Sequence, residues 1–544
     1  MCALGAAALV ADAAAAPRTV CTITVNSANE KETLKRRLPE GDYRFVELVE
    51  RGRPDWLAAA CRSGVRCDAL VISGHFDGGT EFYTDRLEQR ESLPVDEMRR
   101  AACSEACPGV FAQVREVYLF GCNTLNADGL TGAAGEVARR LVRAGASPAD
   151  AERVAHALND RHRESNRDRM RQIFKDVPVI YGFSSKAPLG PSAAATLDRW
   201  LQASPPREIG SGQANAKLVS LFAPASMTVV TGLSDGDPDA AFRRDVCRLA
   251  DDRLSAAEKL GFVHEVLQRD PAEVRMLFDH VEHYAASLTA VERQTPAAAR
   301  ALEAIEADRE ARERYLAFVR DDDEPAVRVR MLAFAREIGW LTPAGLAAEY
   351  RRMLADRLRN GATGATDVEL ACSLNRDHEL GSDPLASREA TARVDPVARA
   401  AVLACLDSAE AQRDVLRALT SARESDVELA RVYLRHRPIV AADELRAVTA
   451  GIARMQSEDA QARALEQLAA WRLSDPASLE ELARLFPRAR SLDVQRAIAA
   501  VLIRGDYRAI AKPELVRALR TQRLRSPDGE DVIDALIRRL QLSL

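Results

Sequence analysis

An α/β domain built on a mostly parallel sheet, followed by an all-α helical-repeat region, is the fold class this sequence predicts. Three observations carry it. Short β-branched runs alternate with helical stretches up to about residue 235, the pattern of strands covered on both faces by crossover helices. Beyond a turn-rich linker, Leu233–Pro238 (LSDGDP), strand signals give way to helical periods. Hydrophobic residues make up 47% and charged residues 29% of the 544, with aromatics at only 5%. That composition is globular and suits many helices packed through small side chains.

The elements follow in order. Thr19–Val25, Arg44–Val49, Ala69–Ser73, Val117–Phe120, Val177–Phe183 and Met227–Thr231 read as strands, several as continuous apolar runs. Helical stretches lie between most of them, as at Val137–Arg143, Pro148–Leu158 and Ala193–Ala203. In the second half, Phe262–Leu267, Arg275–Tyr284 and Leu346–Leu358 carry helical periodicity. Two pieces are self-similar, each a polar turn, then an apolar helix face closed by glycine: the run from Pro325 to Gly339 and the run from Leu492 to Gly505. They resemble HEAT repeats, whose helix pairs recur every ~40–47 residues. The boundaries are therefore 1–16 for a leader or tail, 17–235 for the α/β domain and 240–544 for the helical region.

The 76 basic and 81 acidic residues leave a net charge of −5. Binding to a phosphate backbone by bulk charge is disfavoured, so no nucleic-acid partner is expected. No stretch reaches the ~20 apolar residues of a membrane-spanning helix. The first 16 residues carry an apolar run and Ala-rich sites resembling a secretory signal, without its basic leading segment. The expectation is a periplasmic or secreted protein, or a cytoplasmic one if that segment is only an Ala-rich tail. Of the ten cysteines, setting aside Cys2 and Cys122 leaves eight, an even number that fits disulfides in an oxidising compartment. The spacings of Cys61/Cys67 and Cys103/Cys107 are not those of zinc ribbons.

Open α/β sheets present their sites beyond the carboxyl ends of their strands. Ala69–Ser73 is followed by Gly74-His75-Phe76-Asp77, and Val117–Phe120 by Gly121-Cys122-Asn123-Thr124. If the two strands are neighbours, an imidazole and a thiol share one edge of the sheet. A thiol is mostly protonated at neutral pH, with a pKa near ~8.5, and the thiolate is the nucleophile. A neighbouring imidazole takes its proton and later protonates the leaving amine. Backbone N–H groups of the two turns, around Gly74, Phe76 and Gly121, would hold the oxyanion. Asp77 and Asp128 are candidates for an acidic specificity pocket, and equally for turn residues beside glycine. His156 and His162 sit on a charged helical stretch, and the scatter of His264, His280 and His283 argues against a metal site. No phosphate loop, dinucleotide fingerprint or G-x-S-x-G element occurs, and neither cofactor nor metal is expected.

These motifs resemble the caspase-like cysteine peptidases, especially their bacterial CHAT members. The resemblance spans about residues 18–235 and implies a caspase-like sandwich with a mostly parallel sheet flanked by helices. It implies that His75 is the general acid/base and Cys122 the nucleophile. Thr124 matches a threonine often found two residues after the family's cysteine. The strand ending at Phe183 and Ser184 resembles the one lining the pocket for the residue before the scissile bond. One departure stands out: the family has glycine directly after the histidine, and here the residue is Phe76. The function expected is a cysteine endopeptidase acting on a protein or peptide, with the helical repeats binding a protein substrate or regulator. The alternative is a catalytically inactive scaffold of the same fold.

Overall fold

The computed structural model describes residues 16–76, 79–85, 91–128, 164–203, 208–322, 324–360, 363–381, 395–525 and 531–544. Asp77, His156, His162, Cys2 and the helices expected over Val137–Arg143 and Pro148–Leu158 lie outside them. The chain divides into two compact units, Met1–Trp340 and Leu341–Leu544.

The first unit is built on a six-stranded sheet. Its strands are β1 (Arg18–Thr24), β2 (Tyr43–Glu47), β3 (Ala69–Ser73), β6 (Glu116–Phe120), β7 (Val179–Phe183) and β8 (Met227–Val230). All six correspond to runs read as strands in the sequence. Their order is β2-β1-β3-β6-β7-β8. The first five are mutually parallel, and β8 closes the edge antiparallel to β7. A separate hairpin, β4 (Glu81–Tyr83) with β5 (Ser92–Pro94), sits between β3 and β6 in the chain. Its three-residue strands are too short to show a two-residue period, and it was not expected from the sequence.

Period-two alternation divides the sheet between two cores, as a doubly covered sheet requires. Cys21, Ile23, Leu70, Ile72, Val117, Leu119 and Ile180 face one core. Helices α2 (Trp56–Arg62), α3 (Val95–Cys103) and Asn166–Ile173 cover it with Leu57, Met98 and Met170. Val20, Val71, Tyr118, Phe120, Val179, Tyr181 and Phe183 face the other. There α1 (Asn29–Arg37), Gly190–Ala203 and Ala216–Phe222 contribute Leu34, Trp200 and Phe222. Stacked Tyr118 and Tyr181, 4.9 Å between centroids, and tilted Phe120 and Phe183 run across β6 and β7.

Eight cysteines are paired: Cys21–Cys67, Cys61–Cys107, Cys103–Cys247 and Cys372–Cys405. The third ties the end of α3 to the helix Ala240–Ala250, so it joins the sheet layer to the first helix after the linker. Cys122 is the free thiol among the described residues.

Among the described residues beyond Val230 every regular element is helical. The helices up to Trp340 belong to the same compact unit as the sheet. Many helices begin with an Asp, Ser or Thr cap, often with proline as the first helical residue. Asp270 accepts from the Ala272 N–H, and Asp475 from Ser478. Such caps satisfy backbone donors that a helix start leaves open, and proline has none to lose. In the second unit alternate helices stack. Pro396–Cys405 packs on Glu424–His436, that on Glu458–Ala469, then Leu492–Arg504 and Val532–Gln541. Ala409–Ala418, Ala442–Ala453 and Pro476–Leu485 form a second row. One continuous core from Leu354 to Leu540 fills the space between the rows. Starts at residues 424, 458 and 492 recur more tightly than the ~40–47 residues of HEAT units.

No helix among the described residues is long and apolar enough to cross a membrane.

Candidate active site

β3 and β6 are adjacent and parallel, and their register pairs Ser73 with Phe120. The Gly74 N–H donates to the Phe120 carbonyl at 3.1 Å, which carries the pairing one step past the strand ends. His75 and Cys122 therefore leave neighbouring strands at the same level. Glycine is needed at 121 because the two turns cross closely there. A Cβ would lie 2.8 Å from the Phe76 Cβ and 3.0 Å from the Gly74 carbonyl oxygen. Both His75 and Cys122 border one cavity of about 310 Å³, with Gly74, Gly121, Ser73, Glu30, Asp85 and the segment Ala187–Pro191 among its walls.

The hairpin fixes the histidine. The His75 N–H donates to the Tyr83 carbonyl and the Tyr83 N–H to the His75 carbonyl, both at 2.9 Å. The imidazole lies 5.4 Å from the Tyr83 ring, centroid to centroid. Its Nε2 stands 3.5 Å from an Asp85 carboxylate oxygen at the rim. Thr84 in turn donates to the Asn26 side chain, joining this rim to the end of β1.

The cysteine turn is held from three sides. Asn123 adopts a left-handed backbone, φ +59°, and donates its N–H to the Ser185 carbonyl at 2.7 Å. Asn166, the first residue of its helix, donates from its side chain to the Asn123 carbonyl at 3.0 Å. Thr124 is fully buried; its hydroxyl donates to the Gly121 carbonyl and accepts the Phe183 N–H at 3.0 Å. The Ala187 N–H points at the Cys122 Sγ at 3.4 Å.

Thr124→Val tests this buttress. It removes one donor and strands the buried Phe183 N–H, an expected cost of about 1–3 kcal/mol. A lower urea midpoint and slower alkylation of Cys122 are the readouts; unchanged values for both would show that the hydroxyl does not hold the turn.

Other sequence candidates fall elsewhere. The Phe76 side chain is buried against Phe82, with ring centroids 4.5 Å apart. Phe183, the last residue of β7, is buried in the core on the sheet face that Leu34, Trp200 and Phe222 cover. Ser184 is exposed and bonded to the Ser226 carbonyl. Asp128 is exposed, its N–H donating to the Asn126 side chain as in an Asx turn. Three features of the cavity had no place in the sequence reading: Glu30 on α1, Asp85 after β4, and the Ala187–Pro191 wall. Comparison of the chain with protein-family models, curated proteins and solved structures finds no match.

Proposed function

We propose that the chain is a cysteine endopeptidase of the caspase-like class, with His75 and Cys122 as its dyad. The observation that carries this reading is the register of β3 with β6, which brings a histidine and the free cysteine to one edge and one cavity. In the proposed reaction His75 takes the Cys122 proton, and the thiolate attacks the scissile carbonyl carbon. The Gly74 and His75 N–H groups are already bonded to the Phe120 and Tyr83 carbonyls. Gly74 therefore does not serve as the donor expected of it, and the N–H groups of Phe76 and of the Gly121–Cys122 turn are the ones assigned to the oxyanion as it forms. The C–N bond breaks as His75 returns the proton to the leaving amine, leaving a thioester on Cys122. Water, giving a proton to His75, hydrolyses the thioester, and that proton restores the thiol.

The helical array is read as the client-binding part. A groove of about 590 Å³ in the 341–544 unit is lined by side chains of both signs, including Arg413, Arg417, Asp414 and Glu444. Such a surface suits a protein partner better than a nucleic acid. The four disulfides favour an oxidising compartment, periplasmic or secreted.

Labelling with peptidyl acyloxymethyl ketones tests the dyad. Stoichiometric modification at Cys122, lost in His75→Ala, is the expected result. A folded protein whose Cys122 resists every such reagent would make the α/β domain a non-enzymatic platform.

A further inference from the structure

Glu30 lies in the first turn of α1 and borders the His75/Cys122 cavity, yet is only 2% exposed. Its Oε2 has no hydrogen-bond partner. The adjacent Lys31 gives it none, because its ammonium is 3.0 Å from Glu47. Burial pushes the Glu30 carboxyl up from its ordinary value, against the pull of its own backbone and the Ser27 and Ser73 hydroxyls. A buried carboxylate oxygen without a donor is costly and is rarely left so. A second carboxylate, Asp85, stands at the rim, and no lysine or arginine is among the described residues of the cavity wall. The cavity thus presents acceptors and lacks a fixed cation. Pro188 and Leu189 supply an apolar flank along which an aliphatic stem would lie.

We infer that Glu30 determines specificity, its carboxylate receiving the ammonium or guanidinium of a Lys or Arg side chain directly before the scissile bond. Cys122 and Glu30 border the same cavity of about 310 Å³, and Glu30 is assigned to the side chain next to the attacked carbonyl. A cation there supplies the missing donor and keeps Glu30 charged; guanidinium does so with two parallel N–H groups. This inference rests on the peptidase reading.

The test uses the full chain and three peptidyl acyloxymethyl ketones that differ only in the last residue: Arg, citrulline or Asp. Citrulline keeps the shape of arginine and removes the charge. The rate of Cys122 modification, followed by intact mass, should be at least about tenfold faster for Arg than for citrulline, and slowest for Asp. In Glu30→Gln the Arg-to-citrulline ratio should fall to near one, the citrulline rate serving as internal reference. Equal Arg and citrulline rates in the unaltered chain would overturn the inference without any variant, and so would a ratio that survives Glu30→Gln. Failure of the peptidase reading itself looks different: none of the three reagents labels the protein.

Discussion

If the proposed reaction holds, replacing Cys122 with alanine is expected to lower peptide cleavage by at least about 10³-fold, because it removes the atom assigned to the thioester. His75→Ala should cost about 10² to 10⁴ through loss of proton transfer. The two losses should not add, since imidazole and thiol act on one proton. The structural cost of either change should be small: both side chains border a cavity and neither is fully buried. A peptide-library digest read by mass spectrometry, with the unaltered chain beside Cys122→Ala, checks the prediction. Cleavage at full rate by Cys122→Ala would end the assignment of Cys122 as nucleophile, and unchanged unfolding curves would show that the loss was chemical.

What the sequence disclosed, and what it withheld, follows from how local each cause is. Ala69–Ser73 and Val117–Phe120 are legible because a strand buried on both faces is apolar along nearly all its length. The second strand starts one residue earlier, at the buried Glu116, which the apolar pattern does not include. The Gly-His and Gly-Cys steps after them mark where each strand stops. Their adjacency is a tertiary fact, set by the register of Ser73 with Phe120. The β4–β5 hairpin left no signal, although it holds both backbone groups of His75. Glu30 was equally silent. An acidic residue in the first turn of a helix is what the helix dipole favours anyway, so nothing local separates it from Glu32, which is exposed. The cysteines show the same limit. Cys61 and Cys67 are close in sequence, yet Cys61 pairs with Cys107 and Cys67 with Cys21. The strand order brings those partners together, and spacing along the chain does not encode it.

Glu164→Gln is expected to cost about 3–5 kcal/mol in stability of the unit Met1–Trp340, the range for breaking one partner out of a buried ion pair. Glu164 is buried immediately before the capped helix Asn166–Ile173 and accepts from Arg99 at 2.5 Å and Arg169 at 3.0 Å. His280 Nε2 stands 3.5 Å from the same carboxylate. Burial raises its pKa, but Arg99, His280 and Arg169 outweigh that and hold the carboxyl far below the usual carboxylate range. Glutamine keeps the shape and leaves the Arg99 charge, whose side chain is 8% exposed, with only the exposed Asp96 carboxylate 3.3 Å away as its ion-pair partner among the described residues. Because the folded carboxyl is depressed, its contribution is present in full above the unfolded value of about 4.3 and is lost as pH falls through that range towards the folded one. Urea denaturation at pH 7 should therefore separate the two chains widely, and the gap should narrow steadily below about pH 4. The loss should also reach the site. Arg169 donates to the Gly79 carbonyl, between His75 and Tyr83, and Asn166 donates to Asn123 beside Cys122. Loosening this helix start releases both sides of the dyad together, so Cys122 labelling by a peptidyl reagent should slow in Glu164→Gln even where the protein is still folded. A gap of under about 1 kcal/mol at pH 7, the scale of an exposed pair, would show that the cluster does not act as a buried one.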